Sequence, residues 1–186
     1  MSQINFNKDR ILGEDVWIES LNFGLSLIGV PYEWWGGGDC ESKAPMWAEN
    51  GTVPNKDEII SCNCAGLTNL ILRFSKKKIP HTEFNGMGGT GAYANYYKDV
   101  YNKFDINIKY PIGTLIIRDF RDIDDQGHVA IIIENNGSQS KVLQSFTFKN
   151  KYPGVNINYT LDESNKCDNI GTNYYEFAVL PEHWLK

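Results

Sequence analysis

Residues 64–75, CAGLTNLILRFS, constrain the fold more than any other segment of the chain. A helix over this segment is apolar on most of its faces, through Leu67, Leu70, Ile71, Leu72 and Phe74. Such a helix has to be enclosed by other elements, because on a surface it would expose apolar side chains to water. Ser61 and Asn63 are residue types that cap helices, so the helix is predicted to begin at Cys64.

Helical and strand patterns occupy different parts of the chain. Residues 14–29 place apolar side chains at mostly helical spacing, and Gly29 is suited to end that helix. A further helix is predicted over roughly 92–103, whereas the pattern from Pro111 onward predicts strands at 114–117, 129–133, 141–148 and 173–180. Helices followed by consecutive strands indicate an α+β fold, with an antiparallel sheet and helices packed on one side.

The 186 residues suit a single domain, 1–186, with an inserted surface loop around 39–61. Pro45, Gly51 and Pro54 break regular structure in that loop. The preceding residues 31–38, PYEWWGGG, form an aromatic and glycine-rich loop without the Lys-Ser/Thr that a phosphate-binding loop needs. Trp34 and Trp35 of this loop suit the core and the wall of a cleft equally well.

The charge composition argues against two classes of partner. A net charge of −5 and a pI near 5.2 do not provide the basic surface of a nucleic-acid binder. No run approaches the roughly 18 apolar residues that span a bilayer, and the first residues do not resemble a secretory signal. We therefore expect no nucleic-acid or membrane partner and a cytoplasmic, injected or virion-associated location, with the oligomeric state left open.

Cys64 is the cysteine whose context suits a nucleophile. A thiolate attacks carbonyl carbon, and a free cysteine with a pKa of about 8.5 is mostly protonated at neutral pH. A helix N-terminus lowers that pKa, and the small residues Ala65 and Gly66 leave room for a substrate backbone. Backbone N–H groups at this helix start, including that of Ala65, are suited to binding a developing oxyanion.

The base has to come from another segment, and His128 is the best candidate. It follows Gly127 and opens the apolar strand pattern VAIII, so its ring can lean from a strand entrance toward a helix end. A third polar group orients the imidazole in such sites. If residues 128–133 and 141–148 form a hairpin, Gln144 can accept the ring N–H. An ordinary exposed strand position is the alternative for Gln144.

Other cysteine assignments rest on weaker patterns. Cys40 lies in an Asp-Cys-Glu-Ser sequence that is similar to the one around Cys64. Pro45, however, breaks the helix that a nucleophile would need. Cys62 and Cys64 form a Cys-x-Cys pair, which is weak for zinc without a second pair, and Cys167 lies in a polar loop. We therefore expect no metal and no organic cofactor.

Several of these residues also have a non-catalytic alternative. An inert buried thiol is the alternative for Cys64, and a satisfied strand-edge histidine is the alternative for His128. His81 and His183 do not begin core strands. One acidic cluster fits a solvated turn better than a calcium loop, namely Asp119, Asp122, Asp124 and Asp125.

Four motifs resemble those of the NlpC-type papain-like cysteine peptidases and occur in that family's order. They are Pro-Tyr-x-Trp-Trp-Gly-Gly at 31–37, Asn-Cys-Ala-Gly-Leu at 63–67, Pro-x-Gly-Thr-Leu at 111–115 and Gly-His-Val-Ala-Ile at 127–131. The resemblance covers most of the chain and implies a papain-like fold, with the nucleophile helix packed on an antiparallel sheet. It implies Cys64 as nucleophile, His128 as base, Gln144 as third polar residue and Tyr32 as the aromatic hydroxyl beside the sulfur.

Three features depart from the family pattern. The family usually has Asp-Cys-Ser-Gly where this chain has Asn-Cys-Ala-Gly at 63–66, and His rather than Gln is the common third residue. The spacer between Gly38 and Cys64 is longer than usual, which leaves the substrate open. The resemblance implies hydrolysis of a peptide or amide bond through an acyl-thioester, with peptidoglycan stem peptides as the favoured substrate. An amidase, transglutaminase or acyltransferase with the same dyad, or a catalytically silent binding module, are the alternatives.

Overall fold

A computed structural model describes residues 16–33, 55–82, 86–87, 89–122, 124–146, 152–166 and 174–186. The helices are α1 (Val16–Ser26), α2 (Cys64–Phe74), α3 (Thr90–Tyr96), α4 (Leu161–Asn165) and α5 (Pro181–Trp184). The strands are β1 (His81–Thr82), β2 (Gly86–Met87), β3 (Asn102–Lys103), β4 (Leu115–Arg118), β5 (His128–Ile132), β6 (Val142–Phe146), β7 (Gly154–Asn156) and β8 (Phe177–Val179). Short 3-10 helices lie at Lys56–Glu58 and Gly137–Gln139. Most of the predicted loop at 39–61 lies outside the described residues.

Six strands form one antiparallel sheet in the order β3-β8-β4-β5-β6-β7. The central strands β4 and β5 pair with Arg118 opposite His128. The next strand, β6, pairs with β5 so that Ile131 lies opposite Leu143. The predicted α+β class and the predicted hairpin between 128–133 and 141–148 are therefore confirmed.

Both faces of this sheet are buried, which explains why β4 and β5 are continuously apolar in the sequence. Alternate side chains join a large core shared with α1 and α2, among them Leu115, Ile117, Val129, Ile131 and Leu143. The intervening side chains join a second core, rich in tyrosine, that includes Ile116, Ala130, Ile132, Val142 and Ala178. The prediction of helices on one side holds for α1 and α2, whereas the short helix α4 packs against the opposite face through Leu161.

The helix α2 is enclosed, as its sequence predicts. Every residue from Cys64 to Arg73 is buried. The Asn63 side chain caps the helix by accepting a hydrogen bond from the N–H of Gly66 at 2.7 Å. This bond satisfies one of the N–H groups that have no partner within the helix. The cap fixes the first turn of α2 and therefore the position of Cys64.

Close packing of α1 holds α2 in place on the sheet. A Cβ atom at Gly24 would lie 2.6 Å from the end of the Ile71 side chain, so a larger residue here would force Ile71 to shift. The rings of Phe23 and Phe74 stack with their centroids 4.5 Å apart. The two helices therefore pack as one layer, with the first residue of α2 directed at the sheet.

One predicted helix is wrong in its second half. The sequence predicts a helix over roughly 92–103, but α3 ends at Tyr96. Asn102 and Lys103 instead pair with Ala178 and Phe177 at the edge of the sheet. Pairing with β8 satisfies the backbone there, and a local pattern cannot report such a distant partner. None of the helices in the described part of the chain has the length and apolar character needed to cross a membrane.

Candidate active site

The thiol of Cys64 lies at the place where β5 and β6 stop pairing. Ile131 and Ile132 of β5 pair with Leu143 and Val142 of β6. Nearer the start of β5, the N–H of Val129 contacts the Cys64 sulfur. The N–H groups of Cys64 itself and of Ala65 contact the same atom from the first turn of α2. Backbone donors from a strand and from a helix start thus converge on one sulfur, an arrangement that stabilises negative charge there.

Burial opposes these donors. Cys64 is 9 % exposed, and burial raises the pKa of its thiol more than the N–H groups of Val129 and Ala65 lower it. At neutral pH the resting site therefore holds a neutral thiol. The sequence correctly predicts that the helix start lowers this pKa. It is wrong about the net direction, because residue spacing does not report how completely the sulfur is removed from water.

His128 opens β5 and is also buried. Its Nε2 lies 2.9 Å from Oε1 of Gln144. Because an amide oxygen only accepts, Nε2 donates its hydrogen to Gln144 and Nδ1 keeps a lone pair. Burial lowers the pKa of His128 to about 4, and the hydrogen bond to Gln144 opposes that shift only in part. His128 is therefore a neutral imidazole at neutral pH, with Nδ1 as its basic nitrogen.

Gln144 lies on β6 and is completely buried. The hairpin prediction that places it beside His128 is confirmed by the 2.9 Å hydrogen bond, and the alternative of an exposed strand position is wrong. The same amide oxygen accepts a second hydrogen bond from Oγ of Ser164 at 3.2 Å. Two donors thus meet on one acceptor.

Aromatic rings surround the imidazole on the face of the sheet that carries α4. The centroid of the His128 ring lies 4.8 Å from that of Phe146, 6.2 Å from that of Tyr174 and 6.1 Å from that of Tyr175. This environment excludes water, which accounts for the lowered pKa of His128. It is also a setting in which a single polar contact to the ring has a large effect on its orientation.

Tyr32 and Cys62 lie near the nucleophile candidate. Burial raises the pKa of Tyr32, and electrostatic interaction with Cys64 and Cys62 raises it further. The pKa of Cys62 is raised to about 12 by burial, although a hydrogen bond with Ser145 lowers it. Cys62 is therefore a neutral thiol with no exposed surface, and its N–H is held by the carbonyl of Pro31 at 3.0 Å.

The other predicted residues are distributed as follows. Ala65 is buried at the start of α2, whereas Trp34, Trp35, Cys40 and Cys167 lie outside the described residues. Within the described ranges no group of three metal-ligating side chains occurs. His183 lies exposed on α5 and His81 lies in β1.

The acidic residues form a turn with one unpredicted ion pair. The Asp122 carboxylate accepts the N–H groups of Asp124 and Asp125 at 2.9 Å each, as expected of a turn. Asp125 also forms a salt bridge with the guanidinium of Arg118, whose side chain is largely buried. This pair lies beside the start of β5, since Arg118 is the cross-strand neighbour of His128.

Ser164 and Tyr175 belong to the site and were not predicted from the sequence. The Ser164 hydroxyl donates to Gln144 and lies 2.7 Å from the hydroxyl of Tyr175. One local signal locates the helix that carries Ser164, because Thr160 and Glu163 have the spacing of a capping box and form one. That signal predicts α4 but not what its residues contact.

Neither a family model, nor a curated protein, nor a solved structure matches this chain. A functional assignment for the protein therefore depends on the four sequence motifs and on the contacts around Cys64 and His128.

Gly127 positions His128 and should not tolerate a side chain. It has φ +73°, and a Cβ would lie 2.5 Å from the carbonyl oxygen of Asp119 and closer still to that of Arg118. We expect Gly127→Ala to lower the free energy of unfolding by about 2–3 kcal/mol, from strain and overlap together. Gly137→Ala is the matched control, because φ is +58° there and nothing lies within 4 Å. Chemical denaturation should show a clearly smaller loss for Gly137→Ala, and equal losses would contradict the packing explanation.

Proposed function

We propose that this protein is a papain-like cysteine hydrolase of the NlpC type that cleaves a peptide or amide bond. The observation that carries the proposal is that two adjacent residues of β5, His128 and Val129, provide the imidazole and a backbone N–H to the thiol. The Cys64 thiol is contacted by the N–H of Val129, and the preceding residue, His128, has its Nε2 held by Gln144. A helix-start thiol, a neutral imidazole and an orienting amide are the components of a Cys-His hydrolase site.

The reaction begins with proton transfer from the Cys64 thiol to Nδ1 of His128. The sulfur then attacks the substrate carbonyl carbon and forms a tetrahedral adduct. His128 returns the proton to the leaving amine, which departs and leaves an acyl-thioester on Cys64. Water, deprotonated by His128, hydrolyses the thioester and regenerates the thiol. Because both groups are neutral at rest, the proton moves when a substrate is bound, rather than being stored as an ion pair.

Backbone donors at the helix start stabilise the adduct. The N–H groups of Cys64 and Ala65 contact the sulfur in the resting site. When the sulfur bonds to carbon its charge passes to the carbonyl oxygen, and these N–H groups bind that oxyanion. The resemblance to NlpC-type enzymes assigns the hydroxyl beside the reacting atoms to Tyr32, and the electrostatic effect of Cys64 on its pKa supports that role.

Peptidoglycan stem peptides are the proposed substrate class. The support is the resemblance of the motifs at 31–37, 63–67, 111–115 and 127–131 to NlpC-type enzymes. The same dyad would also serve an amidase, a transglutaminase or an acyltransferase, which differ in the acyl donor and in what accepts the acyl group. A catalytically silent binding module is the second candidate, and the burial that raises the pKa of Cys64 favours it.

Detection of the acyl-enzyme tests the proposal. The protein is mixed with peptidoglycan stem peptides, ubiquitin-like conjugates and lipid esters, and its intact mass is followed together with the released products. We expect an acyl adduct on Cys64 and a new amine terminus with the stem peptides. Adducts from only one of the other classes would reassign the substrate. Binding of stem peptides without any adduct or product would favour the silent module.

A further inference from the structure

Polar contacts continue behind Gln144, on the side of the sheet that carries α4. Four buried side chains form a continuous chain of hydrogen bonds from α4 to the imidazole. It runs from the Tyr175 hydroxyl to Oγ of Ser164 at 2.7 Å, from Ser164 to Oε1 of Gln144 at 3.2 Å, and from that oxygen to Nε2 of His128 at 2.9 Å. Each of the four side chains is at most 3 % exposed.

We infer that Ser164 is a positioning residue that sets the orientation of the Gln144 amide and thereby the tautomer of His128. This inference rests on the proposed function for its catalytic meaning. Ser164 itself does not contact the reacting atoms. It acts through Gln144, and Tyr175 holds it in place.

The amide orientation depends on what its oxygen accepts. Within the described residues the Nε2 atom of Gln144 is buried without a hydrogen-bond partner, so no acceptor holds the other end of the amide. Oε1 accepts from both His128 and Ser164. Since a hydroxyl carries one hydrogen, Ser164 uses it on Gln144 and accepts the hydrogen of Tyr175. Two donations therefore end on Oε1, and the third, from Tyr175, ends on Oγ of Ser164.

Rotation of the amide by half a turn would change the chemistry of the imidazole. The NH2 group would then face His128 and donate to Nε2, and the ring hydrogen would have to move to Nδ1. Nδ1 is the nitrogen that accepts the Cys64 proton in the proposed mechanism, and in that tautomer it could not do so. Ser164 opposes the rotation, because its hydrogen needs the amide oxygen where it is.

The helix α4, which carries Ser164, is held in place by hydrogen bonds at both ends. The capping box joins Thr160 and Glu163 at the start of α4, and the N–H of Leu161 donates to the carbonyl of Ser140 at 2.7 Å. At the other end of α4, Oδ1 of Asn165 accepts the N–H of Tyr175 at 3.0 Å. These bonds join α4 to Tyr175, with Ser164 between them.

The deciding experiment is nitrogen-15 NMR of the imidazoles at pH 7, combined with steady-state kinetics. The chain has three histidines, and the signals lost in His128→Gln identify those of His128. In Ser164→Ala we expect a smaller fraction of the Nε2–H tautomer and a kcat reduced about three- to tenfold, as loss of one buried hydrogen bond predicts. KM should not change, because Ser164 does not touch substrate.

Ser140→Ala is the matched control. Ser140 is equally buried, and its hydroxyl accepts the N–H of Asn136 at 2.8 Å. Its contact with α4 is made by the backbone carbonyl, which Ser140→Ala keeps. A folded Ser164→Ala protein with the wild-type tautomer would overturn the inference, as would an equal tautomer change in Ser140→Ala. If Ser164→Ala does not fold, Ser164→Cys decides on the same readout, because a thiol keeps the volume but donates weakly. The tautomer is measured without substrate, so a failure to find turnover would count against the proposed function alone.

Discussion

Cys64→Ala should abolish turnover of a stem-peptide substrate while leaving the fold intact. The substitution removes the only atom that forms the acyl-thioester, and loss of the nucleophile from such a site costs at least about 10⁴-fold in kcat. Folding should persist, because alanine fits the first turn of α2 and the Asn63 cap does not use the Cys64 side chain. Product formation and circular dichroism measure the two parts of the expectation.

Cys62→Ala is the control for that experiment. Cys62 is as buried as any residue of the core and lies two positions from Cys64, so its truncation tests for a general effect of losing a thiol. We expect it to keep kcat within about tenfold of the wild-type value, since it takes no part in the proposed reaction. If the Cys64→Ala variant still turned over substrate, Cys64 would not be the nucleophile.

The free energy of unfolding should fall by about 3 kcal/mol as the pH drops from 6.5 to 4, through His128 alone. In the folded protein the pKa of His128 is lowered to about 4 from an ordinary value of 6.5. The unfolded chain therefore binds a proton in this window while the folded chain does not, so acid favours unfolding. Above pH 6.5 both states are neutral and the contribution is constant.

Urea denaturation at a series of pH values measures this effect as a difference between variants. His128→Gln should lose the part of the slope between pH 6.5 and 4 that the wild-type protein shows, whatever its stability at pH 7. Carboxylates also titrate near the lower end, but their contribution is common to both proteins and cancels. His183→Gln, which changes an exposed histidine on α5, should reproduce the wild-type slope. An unchanged slope in His128→Gln would show that His128 is protonated in the folded state.

Local patterns predict the parts of the site that depend on neighbouring residues. The start of α2 at Cys64 follows from a capping residue and an apolar period, and both are readable over a dozen positions. The contact between His128 and Gln144 follows from two strand patterns joined by a short turn, because the register puts Gln144 on the same face as His128 and diagonal to it.

Contacts between distant segments could not be predicted in this way. Ser164 meets Gln144 because α4 packs on the second face of the sheet, and nothing near Ser164 in the sequence indicates that face. The net pKa direction of Cys64 has the same origin, because it is set by how many elements enclose the sulfur. The role proposed for Tyr32 rests on the resemblance to NlpC-type enzymes, because residue patterns alone do not indicate it.

Burial of the sheet on both faces has a consequence for when activity can arise. Cys64 belongs to the core that contains α1 and α2, whereas Gln144 is held from the α4 side through Ser164. A chain that has assembled only one of these layers has a thiol without an oriented imidazole, or the reverse. We therefore expect a newly synthesised or refolding chain to stay inert until its last layer docks, so that regained turnover lags behind regained helix signal. If the protein is the hydrolase proposed above, this order of assembly would keep a half-formed site from acting on surrounding proteins.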